Sequence, residues 1–250
     1  MKKTLLLLAG TAEARAVAER FDHPDLRLVA SLAGVTREPR GYPCETRIGG
    51  FGGVEAMAKW IVENNVVAVV DATHPFAVQI SQNVSEAARR REVPCLGLRR
   101  AVWNLGADWR EFETVEALAA ALPAGSRVLL TTGRHGIEAF AERDDVAFLL
   151  RTIETVGALP SHIQAIEGRP PFSLKNELAI MTDASVTHLV TKNAGGIQPA
   201  KLEAAEQLGL PVFSVAMPPS PHEATANSVE GTLAWVQELF VDREAYRPMP

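Results

Sequence analysis

The chain is poor in the residues that staple or metallate small proteins. It has only two cysteines, Cys44 and Cys95, and they form no CxxC pattern, which argues against a disulfide scaffold and a cysteine zinc site. Its six histidines are scattered, with no HExxH and no close pair, so no metal is expected. No apolar run approaches the roughly 20 residues of a membrane span. Met1-Lys2-Lys3 ahead of Leu5 imitates a secretory signal, but the apolar run falls short of the roughly 7–15 residues of such a signal, and Glu13 and Arg15 follow almost at once. No basic stretch stands out and the net charge is −5, which makes nucleic acid a poor partner. These absences lead to the expectation of a cytoplasmic protein that binds neither nucleic acid nor membrane.

What is present is ordinary globular composition: 250 residues, 47% apolar and 22% charged. That length suits one large α/β domain or two of roughly 100–150 residues each. Short apolar runs alternate with helical patterns. Strands are expected at 4–9, 26–31, 66–71 and 94–98, and helices at 11–21, 56–64 and 77–91. Continuous apolar strands suit a parallel sheet covered on both faces, built from βαβ units. Between Arg99 and Glu113 the pattern pauses around Trp103 and Trp109, and a domain crossover is placed there. A second series follows, with strands at 127–132, 146–151, 186–192 and 211–216. Helices are expected at 115–121, 136–143, 161–166, 173–182, 199–208 and 229–240. The expected fold class is α/β, with two doubly wound Rossmann-like halves, 1–110 and 111–250, and a cleft between them.

In open parallel sheets, ligands bind beyond the carboxyl ends of the strands, so the residues there are the informative ones. Gly10-Thr11 opens a helix directly, where backbone N–H groups meet anions. A plain βα turn is the equal alternative, because GxGxxG spacing is missing. Asp71-Ala72-Thr73-His74-Pro75-Phe76 offers Asp71 and His74 for acid–base work, or Asp71 as a cap for the following helix, with Pro75 in its first turn. Gly49-Gly50-Phe51-Gly52-Gly53 reads as a mobile loop with one apolar side chain, suited to lie over a flat ligand or to serve as a connector. In the second half, Thr132-Gly133-Arg134 follows a strand. Arg151 ends the next one, roughly where dinucleotide folds read the ribose; an Arg there pairs with the 2′-phosphate of NADP, or else sits in a surface ion pair. Thr191-Lys192-Asn193-Ala194-Gly195-Gly196 is the densest polar cluster: a point charge, an amide and two glycines that allow close backbone approach.

These segments, with Arg169-Pro170-Pro171-Phe172-Ser173 and the opening Leu5 to Arg15, together resemble the precorrin-6A reductase family of cobalamin biosynthesis. The resemblance implies an NADPH-dependent oxidoreductase that reduces one double bond of the tetrapyrrole precorrin-6A to give precorrin-6B. Two Rossmann-like halves are implied, with strand exchange between them possible. Cofactor contacts are then expected from Thr132, Gly133, Arg134, Arg151, Thr191, Lys192, Asn193, Gly195 and Gly196. Substrate contacts are expected from Gly10, Thr11, Gly50, Phe51, Gly52, Thr73, Phe76, Arg99 and Lys201. Asp71 or His74 would deliver the proton. The macrocycle carries several carboxylates, so an acidic protein must concentrate cations locally; Arg99, Arg100, Arg134, Arg169, Lys192 and Lys201 are the candidates. The second half is expected to hold NADPH and the first the macrocycle, in a monomer or weak homo-oligomer. Two alternatives remain open at this point: an S-adenosylmethionine-dependent tetrapyrrole methyltransferase, and a non-catalytic Rossmann nucleotide sensor.

Overall fold

A computed structural model describes residues 2–34, 41–104, 106, 108–133, 136–153 and 157–244. In chain order the elements are β1 (Lys3–Leu8), α1 (Ala12–Arg20), β2 (Leu26–Leu32), β3 (Glu45–Ile48), α2 (Val54–Glu63), β4 (Val66–Asp71), α3 (Val78–Arg90) and β5 (Cys95–Leu98). Then come β6 (Trp109–Phe112), α4 (Val115–Ala121), β7 (Arg127–Leu130), α5 (Ile137–Ala141), β8 (Ala147–Thr152), β9 (Ile163–Glu167), α6 (Leu174–Asp183) and β10 (His188–Lys192). The chain ends with α7 (Ala200–Gln207), β11 (Val212–Val215), β12 (Ala224–Ala226) and α8 (Val229–Glu244). No described helix is long and apolar enough to cross a membrane.

The chain forms two compact units, Met1–Ala101 with Pro218–Pro250, and Val102–Met217. Each holds a six-stranded parallel sheet. The first runs β3-β2-β1-β4-β5-β12 and the second β9-β8-β7-β10-β11-β6. The sixth strand of each sheet therefore comes from the other half of the sequence. That exchange moves the boundary expected at residue 110: β6 opens the second unit, and β12 with α8 returns to the first. The reason is visible in α8, whose Val236, Leu233 and Leu239 pack on the Leu5 and Leu7 face of β1. Leu6 and Leu8 point the other way, onto Met57, Ile61 and Val84 of α2 and α3. Burial on both faces explains why β1 is a continuous apolar run.

Three short strands, β3, β6 and β12, were not legible as apolar runs. All three lie at sheet edges, where one side of the ladder is open and few apolar residues are required. The helix expected at 161–166 is instead strand β9, in register with β8 from Phe148↔Ile163 to Thr152↔Glu167. Pairing with β8 satisfies its backbone, which outweighs the local pattern of a short segment. Helix α3 starts at Val78, with Ala77 as its N-cap, so Pro75 sits in the preceding turn and Asp71 does not cap the helix.

Candidate functional sites at the carboxyl ends of the two sheets

In the first sheet the strand order reverses between β1 and β4, and their carboxyl ends carry the Gly10 and Asp71 loops. Most of the polar groups expected to meet ligand are tied to one another. Gly10 N–H donates to Tyr42 Oη at 3.3 Å. Thr11 caps α1 by accepting from Ala14 N–H, and its hydroxyl donates to Ala72 O at 2.7 Å, so it joins the two loops. Asp71 Oδ1 accepts both the N–H and the hydroxyl of Thr73, at 3.1 and 2.7 Å. Its Oδ2 faces His222 Nε2 at 2.8 Å. Burial alone would raise the Asp71 pKa. Hydrogen bonds from His222, Ser81 and Thr73, with the nearby His222 charge, outweigh that and hold the carboxyl below its ordinary range. These contacts favour the carboxylate form of Asp71. His74 is exposed and tilted against Phe76, whose N–H it accepts at 3.3 Å.

Beside this pair lies a cavity of about 160 Å³, lined among others by Asp71, Thr73, Ser81, Arg99, Ser220 and His222. Arg99 follows β5 and donates to Pro218 O. Arg100 pairs with Glu13 of α1 at 3.5 Å. Cys95 sits 3.5 Å from His222 Nδ1, but burial, and secondarily the Asp71 charge, push its thiol up to about 12, so it is no nucleophile.

Arg47 and Trp60 contact the Gly49–Gly53 loop. Arg47 donates to Gly49 O and Gly50 O at 2.6 and 2.9 Å, and its guanidinium lies 3.7 Å from the Phe51 ring centroid. Phe51 also meets Trp60 edge-on at 5.6 Å. Gly52 at φ +84° is needed for the turn.

In the second sheet the order reverses between β7 and β10. The side chain of Arg151, near the end of β8, is only 8% exposed. Its Nη1 donates to both carboxylate oxygens of Glu177 on α6 at 2.8 Å, and the guanidinium lies 4.0 Å from the Phe172 ring centroid. Lys201, in the first turn of α7, donates to Thr131 Oγ1 at 2.9 Å. Burial first, then the Arg151 charge, lower its pKa to about 7, with Lys192 adding and Glu177 opposing. Burial also lowers the pKa of Lys192. Lys201, expected on the substrate, thus shares one electrostatic cluster with Arg151 and Lys192, expected on the cofactor.

Asn193 is committed inside the unit: its amide donates to Glu111 Oε1 at 2.8 Å and accepts Trp103 N–H at 3.0 Å. These two bonds fix the loop. Trp103 Nε1 holds Gly196 O at 3.1 Å. Gly133, Gly195 and Gly196 all have positive φ. Thr191 is buried, as are Thr132 and Thr152, whose hydroxyls have no partner among the described residues. Arg134 lies outside the described residues. Glu177 and His222 were missed, and for different reasons. Glu177 sits mid-helix in an ordinary charged pattern, and His222 lies in a Pro-rich segment far from Asp71 in sequence.

Comparison with known proteins agrees with this architecture. The family model described as Precorrin-6x reductase CbiJ/CobK matches residues 4–237. A precorrin-6A reductase of Rhodococcus erythropolis is 43% identical over 94% of this chain and 98% of its own. One from Mycobacterium tuberculosis is 41% identical over 94% of this chain and 98% of its own. The solved structure titled CobK precorrin-6A reductase superposes with a TM-score of 0.86 at 35% identity, covering 94% of this chain and 96% of that one. The chain belongs to the precorrin-6x reductase family.

Proposed function

We propose that the chain uses NADPH to reduce one double bond of precorrin-6A, giving precorrin-6B in cobalamin biosynthesis. Family membership supports an oxidoreductase acting on a CH–CH bond of a tetrapyrrole with a nicotinamide cofactor. The observation that carries the choice of NADPH is the charge cluster of the second unit. Among the described residues, Arg151, Lys192 and Glu177 act on Lys201, which gathers three cations where an open parallel sheet binds its ligand. An anion of high charge fits that group of cations, and NADPH differs from NADH by one phosphate. When bound, the nicotinamide supplies a hydride, and a proton completes the reduced carbon pair.

The residues of the chain bind and orient. The glycines at 133, 195 and 196 let the backbone approach a ligand closely. Asn193 and Trp103 keep the second of those turns rigid. In the first unit, Arg99 and Arg100 are cations for the carboxylate arms of the macrocycle. Asp71 holds the loop that presents Thr73 and Phe76. Asp71 or His74 is the acid–base group of that loop that moves a proton.

The test is turnover of purified precorrin-6A without oxygen, with the product read by mass. NADPH is expected to add two hydrogens to the ring, and NADH to support a much slower reaction. No ring reduction with either cofactor would overturn the reading, and equal rates would overturn the preference for NADPH.

A further inference from the structure

The charge cluster has a feature that anion recognition alone does not require. Lys201 rests on Thr131 Oγ1, and that hydroxyl gives its own hydrogen to Val190 O at 2.9 Å. Thr131 is therefore an acceptor toward Lys201. A neutral amine can donate to it, though more weakly than an ammonium, so the contact is available in either charge state. The other charged groups acting on Lys201 are Arg151 of β8, Lys192 of β10 and Glu177 of α6. Glu177 could stabilise an ammonium, but both its oxygens already accept from Arg151. Two cations and burial thus oppose the charge on Lys201, and one shared carboxylate favours it.

We propose that Lys201 is a phosphate-binding residue of the second unit, and that binding of a phosphate dianion there takes up one proton. The proposal rests on the NADPH reading and deepens it. The resting site sheds the Lys201 proton near neutral pH because burial and Arg151 disfavour the charge. A dianion set against the same amine reverses the balance, since an opposite charge within about 4–6 Å favours the charged form. At about pH 8 a phosphate monoester is already doubly charged, its second pKa being about 6, so the proton counted there belongs to the protein.

The experiment is calorimetric titration of the whole protein at about pH 8, in two buffers of different ionisation enthalpy, with NADPH, NADH and a polycarboxylate porphyrin in separate runs. The buffer dependence of the heat counts protons. NADPH is expected to bring close to one, and NADH and the porphyrin far fewer. Lys201→Met, which keeps the buried volume, is expected to lose the uptake and weaken NADPH about tenfold at neutral pH, with NADH affinity unchanged. Lys201→Arg is expected to keep the affinity without uptake, because its guanidinium does not deprotonate. Circular dichroism confirms that each variant is folded. Equal uptake with NADH, uptake with the porphyrin instead of NADPH, or undiminished uptake in Lys201→Met would each overturn the proposal. If the protein reduces precorrin-6A with NADPH yet takes up no proton, this inference fails and the function stands. If it binds neither nucleotide, both fall.

Discussion

His222 Nε2 lies 2.8 Å from Asp71 Oδ2, across 151 positions of the chain, and both side chains are almost wholly buried. The contact exists because the segment after β11 returns to the first unit, where β12 pairs with β5. It also depends on Gly97 of β5: a Cβ there would stand 2.7 Å from His222 Cδ2. One glycine, one histidine from the end of the chain and one strand-end aspartate together set the wall of the first cavity.

Removing one partner of a buried pair strands the other. His222→Ala is expected to lower unfolding stability by about 3–5 kcal/mol. Gly97→Ala, which forces the ring away from β5, is expected to cost about 1–3 kcal/mol. Urea unfolding measures both. A loss below about 1 kcal/mol for His222→Ala would show that the pair contributes little to the fold.

The same pair sets an acid dependence. The folded pKa of Asp71 lies below its ordinary value of 3.8. Its stabilisation is therefore complete above that ordinary value and is lost as pH falls through the lower folded one. The stability gap between the wild type and Asp71→Asn is expected to shrink as pH falls below about pH 4. A gap that stays constant down to the acid transition would contradict the depressed pKa.

Legibility in the sequence followed burial. Strands β1, β4, β7 and β10 are covered on both faces, so their apolar runs announce themselves, and the loops at their carboxyl ends were found with them. The edge strands β3, β6 and β12 need little apolar surface and left no such mark. Arg151 was legible as a strand-end cation, but Glu177 was not legible as its counter-ion, because a glutamate on a helix looks the same whether it faces solvent or a buried guanidinium. Phe51 was found for its isolation among glycines. Its partner Arg47 was not, since stacking depends on how β3 pairs with β2. The pairing of Asp71 with His222 required knowledge of the exchanged strands, which no local pattern carries.

Arg47 bears on how Phe51 is tested. Because Phe51 stacks on Arg47 and meets Trp60, Phe51→Ala is expected to lower stability by about 0.5–3 kcal/mol, whatever it does to turnover. Arg47→Lys keeps the charge but loses the planar fork that holds Gly49 O and Gly50 O. It is expected to loosen the loop and raise the KM for the tetrapyrrole, with the Kd for NADPH unchanged. Steady-state kinetics and nucleotide titration separate the two, and a change in NADPH affinity alone would place the loop on the cofactor.

Ile197 gives the cleanest separation of folding from binding. It is 95% exposed, next to a Gly196 that Trp103 holds by its carbonyl. An aliphatic side chain held in water on a fixed turn contributes almost nothing to folding, so Ile197→Gln is expected to leave unfolding stability within about 0.5 kcal/mol. The turn follows β10 at the carboxyl edge of the second sheet, the side assigned to NADPH. Burying an isoleucine side chain against a ligand is worth about 1.5–3 kcal/mol. The Kd for NADPH is therefore expected to rise about tenfold or more in Ile197→Gln, read by nucleotide titration on a protein whose unfolding curve is unchanged. If both the Kd and the turnover match the wild type, Ile197 touches neither ligand, and the apolar part of the cofactor lies elsewhere on that edge.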